Sequence, residues 1–156
     1  MRRRRPEKRE ILPDPLYNDL LVAKFINNLM VGGKKSIAEK IFYTSIEKIE
    51  NATKSKDGLD IFKKAIDNVA PMLEVKSKRI GGATYQVPIE VAQNRKIALA
   101  MRWIIGFSKS RKGDKMSDRL AAEILAAYKN EGSSVKKKED SHKMAEANKA
   151  FAHFRW

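Results

Sequence analysis

The 156-residue chain carries 33 Lys and Arg against 19 Asp and Glu, a net charge of +14, with 42% hydrophobic residues and no cysteine. That length and apolar content suffice for one folded domain with a core and are short for two. The missing cysteine excludes disulfides, thiolate zinc sites and thiol nucleophiles, no apolar run is long enough to span a bilayer, and the cationic excess calls for a polyanionic partner: RNA, DNA or an anionic membrane surface.

Residues 1–12 read as a basic, extended tail. Arg2, Arg3, Arg4 and Arg5, with Lys8 and Arg9, lead into no apolar segment, which argues against a secretory leader, and Glu7 and Glu10 argue against an organellar presequence. Such a tail is expected to order only on its partner. Pro13, Asp14 and Pro15 predict the start of a first helix, with Asp14 as N-cap and Pro15 at the first helical position. Leu21, Phe25 and Leu29 form one apolar row and Val22, Ile26 and Met30 the next; Gly32 and Gly33 end the helix. Ser36 with Glu39, or Gly33, caps a second helix whose inward face is Ile37, Ile41, Ser45, Ile46 and Ile49. A polar connection covers 51–56. Asp57 then caps a third helix with Phe62, Ile66 and Val69 inward, stopped by Pro71.

Residues 72–90 break the helical period. Val75, Ile80, Thr84, Tyr85, Val87 and Ile89 favour strand, and Gly81 and Gly82 mark a two-residue turn. A turn there pairs Ile80 with Ala83, Arg79 with Thr84, Lys78 with Tyr85, Ser77 with Gln86 and Lys76 with Val87. Neither face is cleanly apolar near the tip, so the hairpin is expected to project from a helical body, with Pro88 tolerated on an edge. An isolated hairpin is marginal in water, so support from outside the chain is expected.

A long helix follows from 91 to about 111, with Ile97, Met101, Ile104, Ile105 and Trp103 expected in the core. Ser117 or Asp114 caps a fifth helix with Leu120, Ile124, Leu125 and Tyr128 inward. After the break at 131–134 a sixth helix runs towards Phe151. The fold class is mainly α: a six-helix body with a protruding β-hairpin between the third and fourth helices, in one domain over 1–156. The aromatic segment Phe151, His153, Phe154, Arg155 and Trp156 either packs back on the body or meets a partner.

The cations recur where phosphates can be gripped. Arg95 and Arg102 share a helix face that Lys109 extends and Lys96 flanks. Lys34 and Lys35 lie at the turn between the first two helices. Lys109, Arg111, Lys112 and Lys115 crowd a connection, and Lys136, Lys137 and Lys138 lie near the start of the last helix. In the hairpin, Lys76, Lys78 and Arg79 accompany Tyr85 and Gln86, a pairing of charge and ring that suits unpaired bases; the alternative is that Tyr85 serves the hairpin's own packing. No catalytic centre, metal site or cofactor is expected. Glu139, His142 and Glu146 resemble half of a carboxylate di-metal site, but the second Glu-x-x-His is missing, which leaves an ion-pair or capping role. No phosphate-loop lysine motif is present.

Several stretches in order resemble the bacterial and organellar type of small-subunit ribosomal protein seven: ILPDP at 11–15, KFIN at 24–27, GKKS at 33–36, GGATYQVP at 81–88, Arg102 with Trp103, and MAEANKAF at 144–151 continuing to Trp156. They span nearly the whole chain and are specific together, though weak singly. Ser141 stands where Thr is more usual, Phe154 where Tyr is common, and the loop 107–115 is less family-like. The resemblance implies a six-helix body with a protruding hairpin. It implies a cytoplasmic protein of the small ribosomal subunit that binds the 3′ major domain of the ribosomal RNA and starts assembly of the head. It also implies a place at the subunit interface near exit-site transfer RNA and messenger RNA, with small-subunit proteins nine and eleven as neighbours and no membrane or small-molecule substrate. By position, Arg2 to Arg9, Lys34, Lys35, Arg95, Lys96 and Arg102 match the family's RNA contacts, and Lys76 to Tyr85 match the part facing the exit site. Two other readings would use the same surface: repression of a messenger RNA that mimics ribosomal RNA, which is compatible with the ribosomal role, and generic DNA binding, which predicts similar affinity for duplex DNA and no preference for an RNA junction.

Overall fold

The computed structural model describes residues 9–54, 56–113 and 115–154. In chain order these form α1 (Leu20–Leu29), α2 (Lys35–Thr53), α3 (Gly58–Val69), β1 (Leu73–Ile80), β2 (Ala83–Glu90), α4 (Gln93–Ser110), α5 (Met116–Tyr128), α6 (Ser133–Ala147) and a 3-10 helix (Lys149–Phe154). The fold is mainly α, with one antiparallel hairpin between the third and fourth helices. The chain divides into two compact units within α2, after Lys40.

In the first unit α1 starts five residues later than Pro15. The Asp14 carboxylate does cap a turn, accepting the backbone N–H groups of Leu16 and Tyr17, both at 3.1 Å. That turn is broken by Asn18, whose φ of 48° is left-handed and ends helical propagation. Asp19 then returns to extended backbone, accepts the Leu21 N–H at 2.6 Å and caps α1. Two acids suited to capping stand five apart, and backbone conformation at Asn18 decides which one opens the helix. Val22, Phe25, Ile26 and Leu29 are buried, while Leu21 and Met30 are half-buried. α2 begins at Lys35, so Ser36 lies inside its first turn and the Ser36–Glu39 capping box does not form; Glu39 instead faces Lys35 at 3.8 Å. Ile37 is also not inward: it is 53% exposed, and the buried positions run Ala38, Phe42, Ser45, Ile46, Ile49, one residue further round. The helix continues to Thr53, whose hydroxyl donates to the Ile49 carbonyl at 2.8 Å, and ends at Lys54 with φ 52°. The polar connection is therefore shorter than 51–56.

The second unit holds the remaining elements around Phe42, Ile46, Ile49, Phe62, Ile66, Met101, Ile104, Leu120 and Ile124, all fully buried. Phe42 and Phe62 meet edge to face with centroids 5.1 Å apart, the geometry that ring quadrupoles favour. α3 packs on α4 and α5, and α4 on α5. Asn68 of α3 donates to the Ala127 and Tyr128 carbonyls, each at 3.0 Å, closing the end of α5. α5 begins at Met116 with Lys115 in the cap position and Ser117 buried within the helix; the alternative cap, Asp114, lies outside the described residues. Trp103 is half-buried rather than a core residue.

The hairpin register is Lys78 with Tyr85, Lys76 with Val87 and Ile80 with Ala83, as the two-glycine turn predicts. Gly81 and Gly82 have φ of 55° and 89°, the left-handed pair that matches the twist of the flanking strands. The tip is exposed, but Val87 and Pro88 at the base are buried. Support for the hairpin is found inside the chain: α6 packs along β1 and the 3-10 helix along β2. The sixth helix stops at Ala147, and this tighter turn lets Phe151 and Phe154 reach the strand.

Gly58 opens α3 against α2. A methyl group there would stand 2.8 Å from Ile46 Cγ2 and 2.7 Å from Glu50 Cγ, and Ile46 is fully buried. Gly58→Ala is expected to cost about 1–3 kcal/mol through overpacking, despite the better helix propensity of alanine. The denaturant midpoint of the variant checks this, and an unchanged or raised midpoint would show that Ile46 can give way freely.

Candidate nucleic-acid interface

In the first unit, Lys34 and Lys35 are exposed at the turn into α2. Lys35 and Arg9 line, with Pro13, Ala23, Ile26 and Asn27 among others, an open groove of about 570 Å³. Arg2, Arg3, Arg4, Arg5 and Lys8 lie outside the described residues.

In the second unit the basic surface is built on α4. Arg95, Arg102 and Lys109 recur every seven residues, so at about 100° per residue they stay within about 40° of one another. All three are exposed, whereas Ala100, Met101, Ile104, Ile105 and Ser108 are buried. Lys96 beside them is half-buried. The row is therefore a consequence of amphipathicity: one side of α4 is held by the core, which aims the other side outward.

Arg95 is not alone. Its Nε donates to both carboxylate oxygens of Glu74 on β1, each at 2.8 Å, and Lys76 Nζ stands 3.8 Å from the same carboxylate. The hydrogen bond to Glu74, and secondarily its charge, raise the Arg95 pKa above the ordinary guanidinium value. This contact joins the first turn of α4 to the hairpin and brings Arg95 and Lys76 into one cluster. At the tip Arg79 is exposed, with Gly81 and Gly82. Lys78 is half-buried and donates to the Phe154 carbonyl at 2.9 Å. Tyr85 packs against Phe151 and Phe154, centroids 5.4 and 5.0 Å away, so the ring has partners within the chain.

The connection after α4 is organised by a buried acid. Glu123 is 0% exposed. It accepts Arg111 Nε at 2.5 Å, and its other oxygen accepts the Ser134 N–H at 3.1 Å and hydroxyl at 2.5 Å. A residue of α5 thus supplies the cap of α6, whose own cap position is Gly132 at φ 90°. Arg111 is consequently tethered, while Lys109 and Lys115 stay exposed. Arg119 donates to the Lys109 carbonyl at 3.1 Å and helps close α4. Lys136 and Lys137 are exposed early in α6, and Lys138 turns inward to the Asn68 carbonyl at 2.6 Å.

Two of these organisers, Glu74 and Glu123, escaped the charge map, and Lys138, expected with Lys136 and Lys137 as a phosphate contact, instead donates to the Asn68 carbonyl. Glu123 had a readable signal, since it stands three residues after Leu120 and four before Ala127 on the buried stripe of α5. Glu74 had only strand alternation, which puts it on the face of Lys76 and Lys78; its partner Arg95 is tertiary.

His142 takes neither the ion-pair nor the helix-capping role expected of it, but accepts a hydrogen bond from the chain ahead of the hairpin. Its Nε2 accepts the Met72 N–H at 2.9 Å, just ahead of β1, and Ser141 Oγ donates to the Leu73 carbonyl at 3.4 Å. An accepting nitrogen must be unprotonated. Burial, and secondarily the charge of Lys138, hold the imidazole pKa below its ordinary value. Among the described residues no group of three or more His, Asp or Glu is placed to hold a metal ion, and no helix is long and apolar enough to cross a membrane.

A basic face on α4, a basic hairpin and acids spent on holding cations in place suit a polyanionic partner. Comparison with known proteins makes this specific. The family model described as Ribosomal protein S7p/S5e matches residues 1–149. The chain is 61% identical over 155 residues to the small ribosomal subunit protein uS7 of Anaeromyxobacter sp. (strain Fw109-5), covering 99% of each chain. It is 57% identical over 156 residues to the protein of that name from Thermotoga maritima, covering 100% of each, and 59% identical over 155 residues to that of Francisella tularensis subsp. holarctica, covering 99% of each. The chain belongs to the ribosomal protein S7p/S5e family. It is a structural component of the small ribosomal subunit and not an enzyme.

Two predictions follow from the buried groups. Arg111→Met leaves the Glu123 carboxylate buried without its cation and is expected to cost about 3 kcal/mol or more. Glu123→Gln keeps the shape and part of the capping and should cost less, about 1–2 kcal/mol. Thermal or urea denaturation of the two variants gives the order, and the reverse order would mean that Glu123 is solvated in spite of its burial. The second concerns His142. The unfolded imidazole binds its proton near pH 6.5 and the folded one only at lower pH, so the unfolded state holds more protons in between. The stability contribution is therefore complete above about pH 6.5 and is lost as pH falls through that window. Hydrogen exchange at the Met72 amide should accelerate over the same range in the wild type. A pH-independent exchange rate, after correction for intrinsic chemistry, would sink the assignment.

Proposed function

We propose that this protein is a primary ribosomal RNA-binding protein of the small subunit, which binds the 3′ major domain and nucleates assembly of the head. The observation that carries the reading is the exposed row Arg95, Arg102 and Lys109 on α4, opposite a fully packed core face, in a chain of net charge +14. A row fixed by packing presents charge at set spacing, which suits a folded RNA whose phosphates are themselves at set positions. Lys96, Lys115, Lys136, Lys137, Lys34, Lys35 and the tail residues Arg2, Arg3, Arg4, Arg5, Lys8 and Arg9 extend the contact. Arg111 belongs to it through its neighbours, since Glu123 holds its Nε.

The hairpin carries Lys76, Lys78 and Arg79 with the exposed Gly81 and Gly82 at its tip. It faces the exit-site transfer RNA and the messenger RNA path, with small-subunit proteins nine and eleven as neighbours, in a cytoplasmic particle. Tyr85 contributes by holding the hairpin to the 3-10 helix, which sets the direction in which the tip points.

Each occupied cation releases condensed counterions, so three phosphate contacts contribute about −2 to −3 to the slope of log affinity against log salt. The decisive measurement is a salt series of binding to a 3′-major-domain RNA fragment and to duplex DNA of equal length. Tighter binding to RNA with a steep slope is expected. The triple variant Arg95→Gln, Arg102→Gln, Lys109→Gln should bind RNA more weakly, with the slope shallower by about 2–3. A slope unchanged in that variant would remove α4 from the interface, and equal affinity for the two nucleic acids would reduce the protein to a non-specific binder.

A further inference from the structure

We propose that Glu74 is a specificity-determining residue of the RNA surface: it holds Arg95 and Lys76 as an internal stand-in for phosphate, so that generic polyanions are repelled there while an RNA of matching backbone geometry is accepted. The inference rests on the RNA-binding reading above.

The geometry carries it. The Glu74 side chain is only 12% exposed, while those of Arg95 and Lys76 are 49% and 46% exposed. The acid is anchored in the protein and the cations reach past it to solvent. Both carboxylate oxygens engage Arg95 through Nε alone, which leaves the Nη edge of the guanidinium fork for another anion. With Nε held from one side, the fork has a fixed plane and presents its remaining donors in one direction. A phosphate arriving along that direction finds a pre-oriented fork. A phosphate arriving elsewhere meets the Glu74 charge or must displace it.

Stability alone gives Glu74 little reason to be there. Both of its cationic partners are substantially exposed, and ion pairs of that kind contribute little to folding. The larger consequence is on association: a carboxylate inside a basic surface lowers the affinity of every loosely fitted polyanion, and discrimination often rests on such built-in repulsion. A protein with a net charge of +14 needs that discrimination more than it needs additional affinity.

The test uses the full chain and two nucleic acids, the 3′-major-domain fragment and duplex DNA of equal length, each over a salt series. Glu74→Gln is expected to raise affinity for the DNA about threefold to tenfold and to steepen its salt slope by about 1. Affinity for the RNA fragment should change less than twofold, so the preference for RNA falls. In an Arg95→Gln background the same substitution should have much less effect, because Glu74 acts largely through that fork. Arg95→Lys keeps the charge and loses the fork, and should lower the RNA preference independently of Glu74→Gln; it serves if Glu74→Gln does not fold, which its thermal midpoint will show. Glu74→Gln changing both affinities by the same factor, or leaving both unchanged, or lowering both, overturns the proposal. Wild-type protein with no preference for RNA overturns the RNA-binding reading and this inference with it. A wild-type preference that survives both substitutions overturns the inference alone.

Discussion

The Glu123 carboxylate is the contact on which the C-terminal half of the molecule depends. It is fully buried and negatively charged in a protein otherwise rich in cations, and it is paired on one oxygen with Arg111 and on the other with the start of α6. Burying a carboxylate is tolerable only when its lone pairs and charge are answered, and here the answers come from two different segments. The exit of α4, the middle of α5 and the entry of α6 are thereby tied to one point. Gly132 fits this arrangement because its φ of 90° suits glycine and a Cβ there would stand 3.1 Å from Ala126 Cβ and 3.4 Å from Glu123 Oε1. Once α6 is fixed at its start, its later turns fall along β1, where Ser141 and His142 take the Leu73 carbonyl and the Met72 N–H. The base of β1 is thus linked through α6 to an acid on α5, alongside the hairpin's contacts with the 3-10 helix and with Arg95 of α4.

Three acids of the second unit share this use. Glu74 orients Arg95, Glu123 tethers Arg111, and Asp118 pairs with Lys48. The cations that remain exposed with no carboxylate partner among the described residues include Arg79, Arg102, Lys109, Lys136 and Lys137. Net charge alone would not have separated these two sets. An excess of +14 says that the surface attracts polyanions; the placement of the acids says which cations are held by the fold and which are not.

Much of this was legible in the residues. The hairpin register followed from Gly81 and Gly82, because a two-residue turn leaves one pairing and strand alternation fixes the faces. The α4 row followed from seven-residue spacing. What was not legible depended on tertiary partners or on a choice between equal local signals. Asp14 and Asp19 are both good caps, and only the backbone at Asn18 separates them. Ile37 lies next to the buried stripe of α2, and one residue of rotation puts it in water. Tyr85 has the composition of a stacking residue, yet its neighbours Phe151 and Phe154 are more than sixty positions away and carry no local signature of the contact. The hairpin was read as needing outside support for the same reason: strand propensity describes two strands and is silent about a helix returning from the C-terminal side.

The helix starts connect stability to function. α2, α4 and α6 have no acidic residue in the first turn, whereas α3 and α5 have Asp60 and Asp118 there. α2 opens instead with Lys35, α4 with Arg95 and Lys96, and α6 soon reaches Lys136 and Lys137. Each cation near a helix N-terminus opposes the macrodipole, at about 0.3–1 kcal/mol apiece when exposed. For α4 and α6 part of that cost is offset from outside the helix: Glu74 places its charge at the first turn of α4 and Glu123 caps α6. The remainder is a deficit that a bound anion would relieve, since the positive end of the helix and its basic side chains then act in the same direction.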